Sequence, residues 1–482
     1  MNVLVLMSDQ HNPKVLGCAG HPVVSTPNLD ALAAEGTRFT AAYTNSPICV
    51  PARAAWTTGR YVHETACWDN ATAYAGSPPG WTHALQVAGV RVESIGKLHY
   101  RDAVAPTGFD RQINPMHVAG GIGQVWGSVR DPLPRRRGAH LLVSWSGGGE
   151  TDYTRYDRHS TELACEWLAH RGQRRDEPWV LYVGLVAPHH PWIAPQEWFD
   201  RYDPSSLPPA KLRPADGHPR HPWVEAYARM LVGLDDRNTD EERQRCTAAY
   251  YGLVSYLDDN VGRILDALDR AGLRDDTLVV STTDHGETLG SRGLWGKSVL
   301  YEETAGIPLV LAGPEVPRGR EVRTPTTLVD GYPTILEAAG VAVAPDDSPR
   351  PGRSWLALAR RPDDDQRVAF AEYHAMGATS AAYLVRRGRY KLLHYVGFEP
   401  ELYDLEADPE ETRDVAGDPA AAGARAELER LLREIVDPEE VDRRAKADQA
   451  ALVERFGGPE VAVELGTVAE TPVPEEVTEV FQ

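Results

Sequence analysis

The stretch Val3-Leu4-Val5-Leu6-Met7-Ser8-Asp9-Gln10-His11 decides the fold of this chain. Five consecutive apolar residues are typical of a strand buried on both faces, as in parallel sheets covered by helices on both sides. The run changes abruptly to polar residues at Ser8, so the carboxyl end of the strand carries groups able to bind a ligand. We therefore predict an α/β protein with its site at this edge of the sheet.

The same pattern recurs three times along the chain. The β-type runs 90–95, 179–186 and 277–283 end in Gly96-Lys97-Leu98-His99, Pro188-His189-His190-Pro191 and Asp284-His285-Gly286-Glu287. Predicted helices over 28–35, after Thr26-Pro27, and over 250–267 provide connections between such strands. The sequence thus predicts a large mixed, mostly parallel sheet flanked by helices on both faces.

After about residue 365 the pattern changes to shorter β-type segments. We predict a catalytic domain over 1–365 and a smaller C-terminal α+β subdomain over 366–482. The subdomain is expected to hold a small antiparallel sheet, from 368–373, 382–395 and 401–405, then a helix over 420–436 and a polar tail. Within the tail, 472–477 has the composition of an extended segment, which suggests a subunit contact in a homo-oligomer.

Between residues 101 and 156 the periodicity fades and Gly, Pro, Arg and Trp accumulate, which predicts long loops. Two interpretations are open for this segment. It shapes the substrate pocket, or it is a surface insertion without contact to substrate.

Bulk composition excludes several classes of function. The 482 residues carry a net charge of −20, which repels nucleic acids and acidic membranes. The first residues lack the pattern of a secretion signal, and no segment approaches the length of a membrane span. The five cysteines are scattered, without a CxxC pair, as in a reducing compartment. We expect a cytoplasmic protein that binds neither nucleic acid nor membrane.

The sharpest local motif is Pro47-Ile48-Cys49-Val50-Pro51-Ala52-Arg53, continuing to Thr58-Gly59-Arg60. It resembles the Cys-x-Pro-x-Arg signature of the sulfatases, in which the cysteine is oxidised to an aldehyde. The hydrate of an aldehyde can attack as an oxygen nucleophile, and its second hydroxyl can later expel the bound group. A neighbouring arginine stabilises the anion that this creates. A buried, inert thiol is the competing interpretation of a cysteine alone.

Two pairs of possible metal ligands follow predicted strands, Asp9-Gln10 and Asp284-His285. A hard divalent cation needs several oxygen or nitrogen donors that converge, and strand ends of one sheet can supply them. Either pair alone is explained as well by a turn or a helix N-cap.

Together these motifs resemble the type I sulfatases of the alkaline phosphatase superfamily. The resemblance covers most of the chain and implies an alkaline phosphatase-like fold. It also implies a formylglycine derived from Cys49 by a separate formylglycine-generating enzyme, and one divalent metal held by Asp9, Gln10, Asp284, His285 and the side chain at position 49. Gln10 and His285 look most like the choline sulfatase and phosphonate monoester hydrolase branch. Ca²⁺ is the first expectation for the ion, with Mn²⁺ and Mg²⁺ as alternatives.

Further residues match positions of the family. The resemblance implies that Arg53, Lys97, His99, His189 and Lys297 contact the ester oxygens or move protons during catalysis. Sulfuryl transfer needs cations and a proton for the leaving group, which fits these residue types. Asn70 resembles a residue that binds the sulfuryl oxygens, although a turn asparagine is an equally good interpretation.

The resemblance implies hydrolysis of a small anionic sulfate monoester to an alcohol and inorganic sulfate. Two alternatives stay open: a phosphonate monoester or phosphodiester hydrolase that uses the same site, and an inactive sulfatase-like binding protein. Choline sulfate is a candidate substrate, although 372–377 has one acidic residue where we would expect two around a quaternary ammonium group.

Overall fold

The computed structural model describes residues 1–171, 177–343, 349–465 and 471–474. Its strands are β1 (Asn2–Ser8), β2 (Thr37–Phe39), β3 (Ala42–Tyr43), β4 (Arg91–Lys97), β5 (Arg111–Met116), β6 (Gly147–Gly148), β7 (Trp179–Gly184), β8 (Ile193–Ala194), β9 (Thr277–Thr283), β10 (Leu309–Ala312), β11 (Arg320–Val322), β12 (Thr326–Thr327), β13 (Val368–Tyr373), β14 (Ala382–Arg387), β15 (Tyr390–Tyr395) and β16 (Glu401–Asp404).

The helices alternate with these strands over most of the chain. They are α1 (Pro27–Glu35), α2 (Cys49–Thr58), α3 (Val62–Thr65), α4 (Trp81–Val87), α5 (Leu141–Ser144), α6 (Asp152–Arg171), α7 (Gln196–Phe199), α8 (Pro222–Met230), α9 (Asp240–Arg270), α10 (Glu302–Ala305), α11 (Gly331–Ala339), α12 (Trp355–Ala359), α13 (Ala422–Ile435), α14 (Pro438–Arg455) and α15 (Pro459–Leu465).

Eight strands form the large sheet, in the order β11-β2-β10-β9-β1-β7-β4-β5. The five strands from β9 to β5 are parallel, whereas β10 runs antiparallel to both of its neighbours. The predicted mixed, mostly parallel sheet is confirmed. Since the five parallel strands end at one edge, the polar segments that follow them along the chain meet there.

Alternate residues of β1 pack on opposite faces of the sheet, which explains its unbroken apolar run. Val3 and Val5 contact a cluster that contains Trp56 of α2, and α4, α11 and α12 contribute to the same cluster. Leu4 and Leu6 face a second cluster formed with α1, α6 and α9. The sheet is therefore covered by helices on both faces, as predicted.

The C-terminal part forms a separate four-stranded antiparallel sheet, β13-β14-β15-β16. Helices α13 and α14 pack on one face of it, around Phe370, Tyr383 and Leu392. The other face packs against residues that include Tyr43 of β3 and Trp223 of α8. The predicted antiparallel sheet and the helix near 420–436 are confirmed.

Two parts of the chain contain more regular structure than the sequence predicted. The segment 101–156 is not only loop, because β5 pairs with β4 at the edge of the large sheet and α6 already begins at Asp152. Pro115 interrupts the alternation of β5 and is tolerated because this strand is at the edge. The supposed polar tail contains α14 and α15; Asp437 caps α14 by accepting a hydrogen bond from the backbone N–H of Glu440.

Of the predicted extended segment 472–477, residues 475–477 lie outside the described residues. Thr471, the first residue of the described piece, contacts His99 and Tyr153. Among the helices of the described residues, none combines the length and apolar character needed to cross a bilayer.

Candidate active site

The two predicted pairs of ligands are adjacent in space. Strands β1 and β9 are parallel neighbours with Ser8 opposite Thr283, so Asp9-Gln10 and Asp284-His285 leave the sheet side by side. The backbone N–H of Gln10 donates to Asp284 Oδ1 at 3.2 Å, which ties the two ends together. Residues 275 positions apart in sequence thus share one cluster of donors, and their side chains are buried.

Helix α2 brings Cys49 to this cluster as its first residue. Pro51 is tolerated because the first turn of a helix does not need its N–H, and Gly59 ends the helix in the left-handed conformation at φ 65°. A side chain at Gly59 would also collide with Tyr332, because a Cβ atom added there would lie 2.7 Å from the Cβ of that tyrosine. The proline and glycine of the motif therefore fix both ends of the helix that carries Cys49.

The thiol of Cys49 lies among three of the four predicted ligand residues, Asp9, Asp284 and His285. Its Sγ is 3.3 Å from His285 Nε2 and 3.8 Å from Asp9 Oδ1. One possible ligand atom from each of Asp9, Cys49, Asp284 and His285 lies within 4.8 Å of the others. Burial, and next the charge of Asp9, raise the pKa of the Cys49 thiol above its usual value.

The orientation of two side chains fits a bound cation. The Nδ1 atom of His285 lies 3.0 Å from the Gly286 carbonyl oxygen and must donate to it, so Nε2 keeps a lone pair toward Cys49 and Asp9. Gln10 donates its amide nitrogen to Glu287, and its buried Oε1 has no hydrogen-bond partner among the described residues. A buried amide oxygen without a partner is costly unless a cation binds it.

Three cations surround the carboxylates of this cluster. Arg53, one helical turn after Cys49, donates from Nε to Asp284 at 2.8 Å and from Nη2 to Asp9 at 3.1 Å. Lys97 Nζ is 2.8 Å from Asp9, and Lys297 Nζ donates to Cys49 Sγ at 3.0 Å. Burial opposes ionisation of Asp9, but Lys97 and the other cations hold its pKa well below the usual value. Asp9 thus stays ionised, and the cations beside it are available to an anionic substrate.

Three other predicted residues lie around this cluster. His99, which follows β4, has a left-handed backbone at φ 59°, and its Nε2 lies 2.9 Å from Thr471 Oγ1. His189 follows β7, and its Nδ1 faces the carbonyl oxygen of His190, so His190 supports it through the backbone. Asn70 accepts a hydrogen bond from the backbone N–H of Val50 at 3.1 Å.

Both histidines are held in their neutral form. Burial lowers the pKa of His99 well below its usual value, and the charge of Lys97 lowers it further. Burial and the neighbouring His190 do the same to the pKa of His189. Both imidazoles therefore stay neutral near neutral pH, which is the form that a general base needs.

Sequence reasoning missed three residues that hold the site. Glu287 orients Gln10, Tyr182 accepts a hydrogen bond from Arg53 Nη1 at 3.0 Å, and Thr471 contacts His99. The position of Glu287, directly after Asp284-His285-Gly286, was a usable signal. Tyr182 lies inside an apolar strand and Thr471 in a polar tail, so neither carried a signal that local sequence could provide.

The fold and the arrangement of the site define an alkaline phosphatase-like hydrolase. The solved structure of a phosphonate monoester hydrolase of Agrobacterium radiobacter superimposes with a TM-score of 0.70 at 25% identity, covering 90% of this chain and 95% of that one. Residues 1–341 match the sulfatase family model, and 290–437 match the model of the N-sulphoglucosamine sulphohydrolase C-terminal region. The chain belongs to the sulfatase family and is a sulfuric ester hydrolase.

Two relatives show how far the similarity extends. A choline-sulfatase of Rhizobium meliloti (strain 1021) is 32% identical over 448 residues, which cover 89% of this chain and 84% of that protein. Arylsulfatase K of Danio rerio is 29% identical, over 90% of this chain and 84% of its own length. The similarity therefore includes both the large sheet and most of the C-terminal region.

Proposed function

We propose that this protein hydrolyses a sulfate monoester to an alcohol and inorganic sulfate, with Cys49 oxidised to formylglycine as the source of the nucleophile. The observation that carries the proposal is the position of Cys49 Sγ among Asp9, Asp284, His285 and Lys297. In the unmodified residue, Sγ stands where a hydroxyl of the aldehyde hydrate would be. When present, that hydrate supplies an oxygen nucleophile and a second hydroxyl whose proton can be removed.

The residues that would hold a divalent cation are Asp9, Gln10, Asp284 and His285, together with the side chain at position 49. A cation bound there would withdraw charge from the ester oxygens and favour ionisation of the nucleophile. Calcium suits the three oxygen donors, whereas the imidazole of His285 also suits manganese. The orphaned Gln10 Oε1 and the free lone pair of His285 Nε2 support such a site.

The cationic side chains stabilise the sulfuryl group during its transfer. Negative charge develops on the sulfuryl oxygens during transfer, and Arg53, Lys97 and Lys297 are buried cations within the cluster. The position of Cys49 at the first residue of α2 adds the partial positive charge of a helix N-terminus. We assign the Asn70 side chain, which is fixed by its bond to Val50, to contact with the same oxygens.

Two proton transfers remain to be assigned. A neutral His99 is suited to remove the second hydroxyl proton, which releases sulfate from the side chain at position 49. The departing alcohol needs a proton from a group that carries one. Since His189 is neutral in the free enzyme, the charged Lys297 is the better donor, and His189 takes that role only after it is protonated.

The experiment that tests this function needs protein made in a host that has the formylglycine-generating enzyme. The mass of the peptide containing residue 49, the bound metal and the turnover of sulfate monoesters, phosphonate monoesters and phosphodiesters are measured on one preparation. We expect formylglycine, about one divalent ion per chain and a preference for sulfate monoesters. A preference for phosphonate monoesters or phosphodiesters would assign the site to that chemistry instead, and an unmodified thiol without metal would favour an inert binding protein.

A further inference from the structure

A cavity of about 180 Å³ lies beside the catalytic cluster and includes Asn70 and His99 in its wall. The deepest residues of the cluster, such as Cys49 and Lys97, are 1% exposed, whereas Asn70 and His99 reach 7% and 5%. Asn70 bonds to the residue after Cys49, and His99 lies two residues after Lys97, so the cavity adjoins the cluster. A group attached to the sulfate can therefore occupy it.

The wall of this cavity is mainly apolar. Its apolar residues come from the segment after β5 and from the ends of α14 and α15: Val118, Ala119, Ile122, Val125, Phe456 and Leu465. Asn70, Gln124 and Thr471 add polar but uncharged groups, and burial keeps His99 neutral. Within the described part of the chain, the lining includes no Asp, Glu, Lys or Arg side chain.

Glu372, the single acidic residue of 372–377, adds no charge to the cavity wall. Glu372 is buried, and its two carboxylate oxygens are occupied by His63 at 2.9 Å and His374 at 2.8 Å. It is absent from the wall of the cavity. A quaternary ammonium group in the cavity would thus lose its hydration without gaining a carboxylate, and a carboxylate or second sulfate would find no cation.

The volume sets the size of the group. An apolar protein cavity of roughly 150 Å³ accepts benzene. The present cavity is somewhat larger, and two of its polar wall residues, Asn70 and His99, are predicted site residues. It thus matches one aromatic ring or an aliphatic group of that size.

We infer that the cavity is the subsite for the alcohol part of the ester, and that this alcohol is small, uncharged and mainly apolar. The inference rests on the proposed function, because it takes the cluster around Cys49 as the place where the ester is cleaved. It also gives part of the segment 101–156 a role, since 118–125 forms much of the wall.

The experiment compares two esters that differ in charge alone: choline sulfate and 3,3-dimethylbutyl sulfate, in which carbon replaces the quaternary nitrogen. With metal-loaded, formylglycine-containing enzyme, we expect kcat/KM for the uncharged ester to be higher by about tenfold or more, because Phe456, the single aromatic residue of the described wall, compensates the cation only weakly for its lost hydration. Equal efficiency, or a preference for choline sulfate, would overturn the inference.

A variant that adds a carboxylate to the wall tests the position of the subsite. Ile122 is 44% exposed, so Ile122→Glu is expected to fold, and it should shift the ratio of the two kcat/KM values toward choline by about tenfold. Val104→Glu adds the same charge at a residue that is 90% exposed and absent from the cavity wall, and it should leave the ratio unchanged. If Ile122→Glu does not fold, Leu465→Glu replaces it. An unchanged ratio in the wall variant contradicts the assignment.

Failure of the proposed chemistry gives a different result. If neither sulfate ester is cleaved while the matching phosphonate monoesters are, the sulfatase proposal is wrong. The ratio of kcat/KM between the uncharged and the cationic phosphonate then still tests the subsite. Calorimetric binding of both sulfates to metal-loaded Cys49→Ala protein compares the two alcohol parts without turnover. There the uncharged ester should bind more tightly, and tighter binding of choline sulfate would reject the subsite.

Discussion

The side-chain amide of Gln10 donates to Glu287, and this contact determines which atom of Gln10 can face a cation. Glu287 also accepts hydrogen bonds on its other oxygen from the backbone N–H groups of Leu289, at 2.9 Å, and Gly296, at 2.6 Å. Since one carboxylate oxygen is held by the backbone, the other is left for the nitrogen of Gln10. The oxygen of Gln10 is then turned away from Glu287 and is free for a metal.

Replacement of Glu287 by Gln should reverse the amide of Gln10. The new side chain must keep its oxygen toward Leu289 and Gly296, so its NH₂ group faces Gln10, which then has to present its oxygen. We expect metal affinity to fall by about 10- to 100-fold, as for other groups that orient a metal ligand. Metal titration of the apo-protein measures the change.

Glu401→Gln provides a matched control for this experiment. Glu401 is buried but is held by Tyr301, Tyr395 and Tyr403, and it contacts none of the predicted ligands. Its amide variant should bind metal like the wild type. Metal affinity that is unchanged by Glu287→Gln would show that Gln10 is not a ligand or is oriented by other contacts.

Cys49→Ala should abolish turnover without unfolding the protein. The substitution removes the source of the nucleophile, while the contacts of Arg53 with Asp9 and Asp284 remain. Loss of a buried thiol costs about 1–2 kcal/mol of unfolding free energy, which a domain of this size tolerates. Sulfate release and thermal unfolding are measured on the same sample. Cys165→Ala, at a half-buried cysteine of α6, is the control and should keep full activity; substantial turnover by Cys49→Ala would remove Cys49 from the mechanism.

Sequence reasoning worked best where one local pattern determines the result. The apolar run of β1 and its polar end at Asp9 predicted both the central strand and its contribution to the site, because burial on two faces and a parallel neighbour are encoded within nine residues. The pairing of neighbouring strands, which backbone geometry determines, is enough to produce these contacts.

The elements and contacts that the sequence did not predict depend on residues distant in sequence. Strand β5 is short and contains Pro115, so only its pairing with β4 makes it part of the sheet. Helix α14 has a polar composition, and its buried face forms against the small sheet and the loop that carries Asn70. The contact of Thr471 with His99 joins residues 372 positions apart, and no local pattern could have predicted it.

The acid limb of the pH–rate profile should lie below the usual histidine range. The pKa values of His99 and His189 are lowered from 6.5, so both imidazoles stay neutral as pH falls through 6.5 and become protonated only at lower pH. A base that must be neutral then keeps its activity at pH 6, and a bound cation would lower the pKa values further. Sulfate monoesters do not titrate in this range, so kcat/KM reports the free enzyme.

The control for this profile is the metal concentration, because acid can also displace a cation from His285. A limb that stays in place when the metal concentration is raised about tenfold reports a side chain rather than metal loss. Burial also raises the pKa of Glu287 to about 7. A midpoint at or above pH 6.5 that persists in Glu287→Gln would therefore contradict the neutral state that burial and Lys97 impose on His99.

The last prediction concerns Gln449, through which helix α14 supports the Asn70 loop. Its Nε2 donates to Asp69 at 2.7 Å and to the carbonyl of His374 at 2.9 Å, while its Oε1 accepts from Arg130 at 2.7 Å. Asp69 in turn accepts from the backbone N–H of Ala71 at 3.0 Å and so shapes the turn around Asn70. Gln449 contacts none of the predicted catalytic groups directly, so it acts by positioning.

Gln449→Ala leaves several buried partners unsatisfied, which should lower the unfolding free energy by about 1–3 kcal/mol. Because the Asn70 loop loses one of its supports while the cluster around Cys49 is intact, we expect KM to rise about fivefold to tenfold with kcat nearly unchanged. Lys446→Ala on the same helix removes only a partly exposed ion pair with Asp442 and should change neither constant. A lower stability with an unaltered KM would mean that Gln449 is merely structural, whereas an equal loss in kcat would mean that the helix also determines the geometry around Cys49.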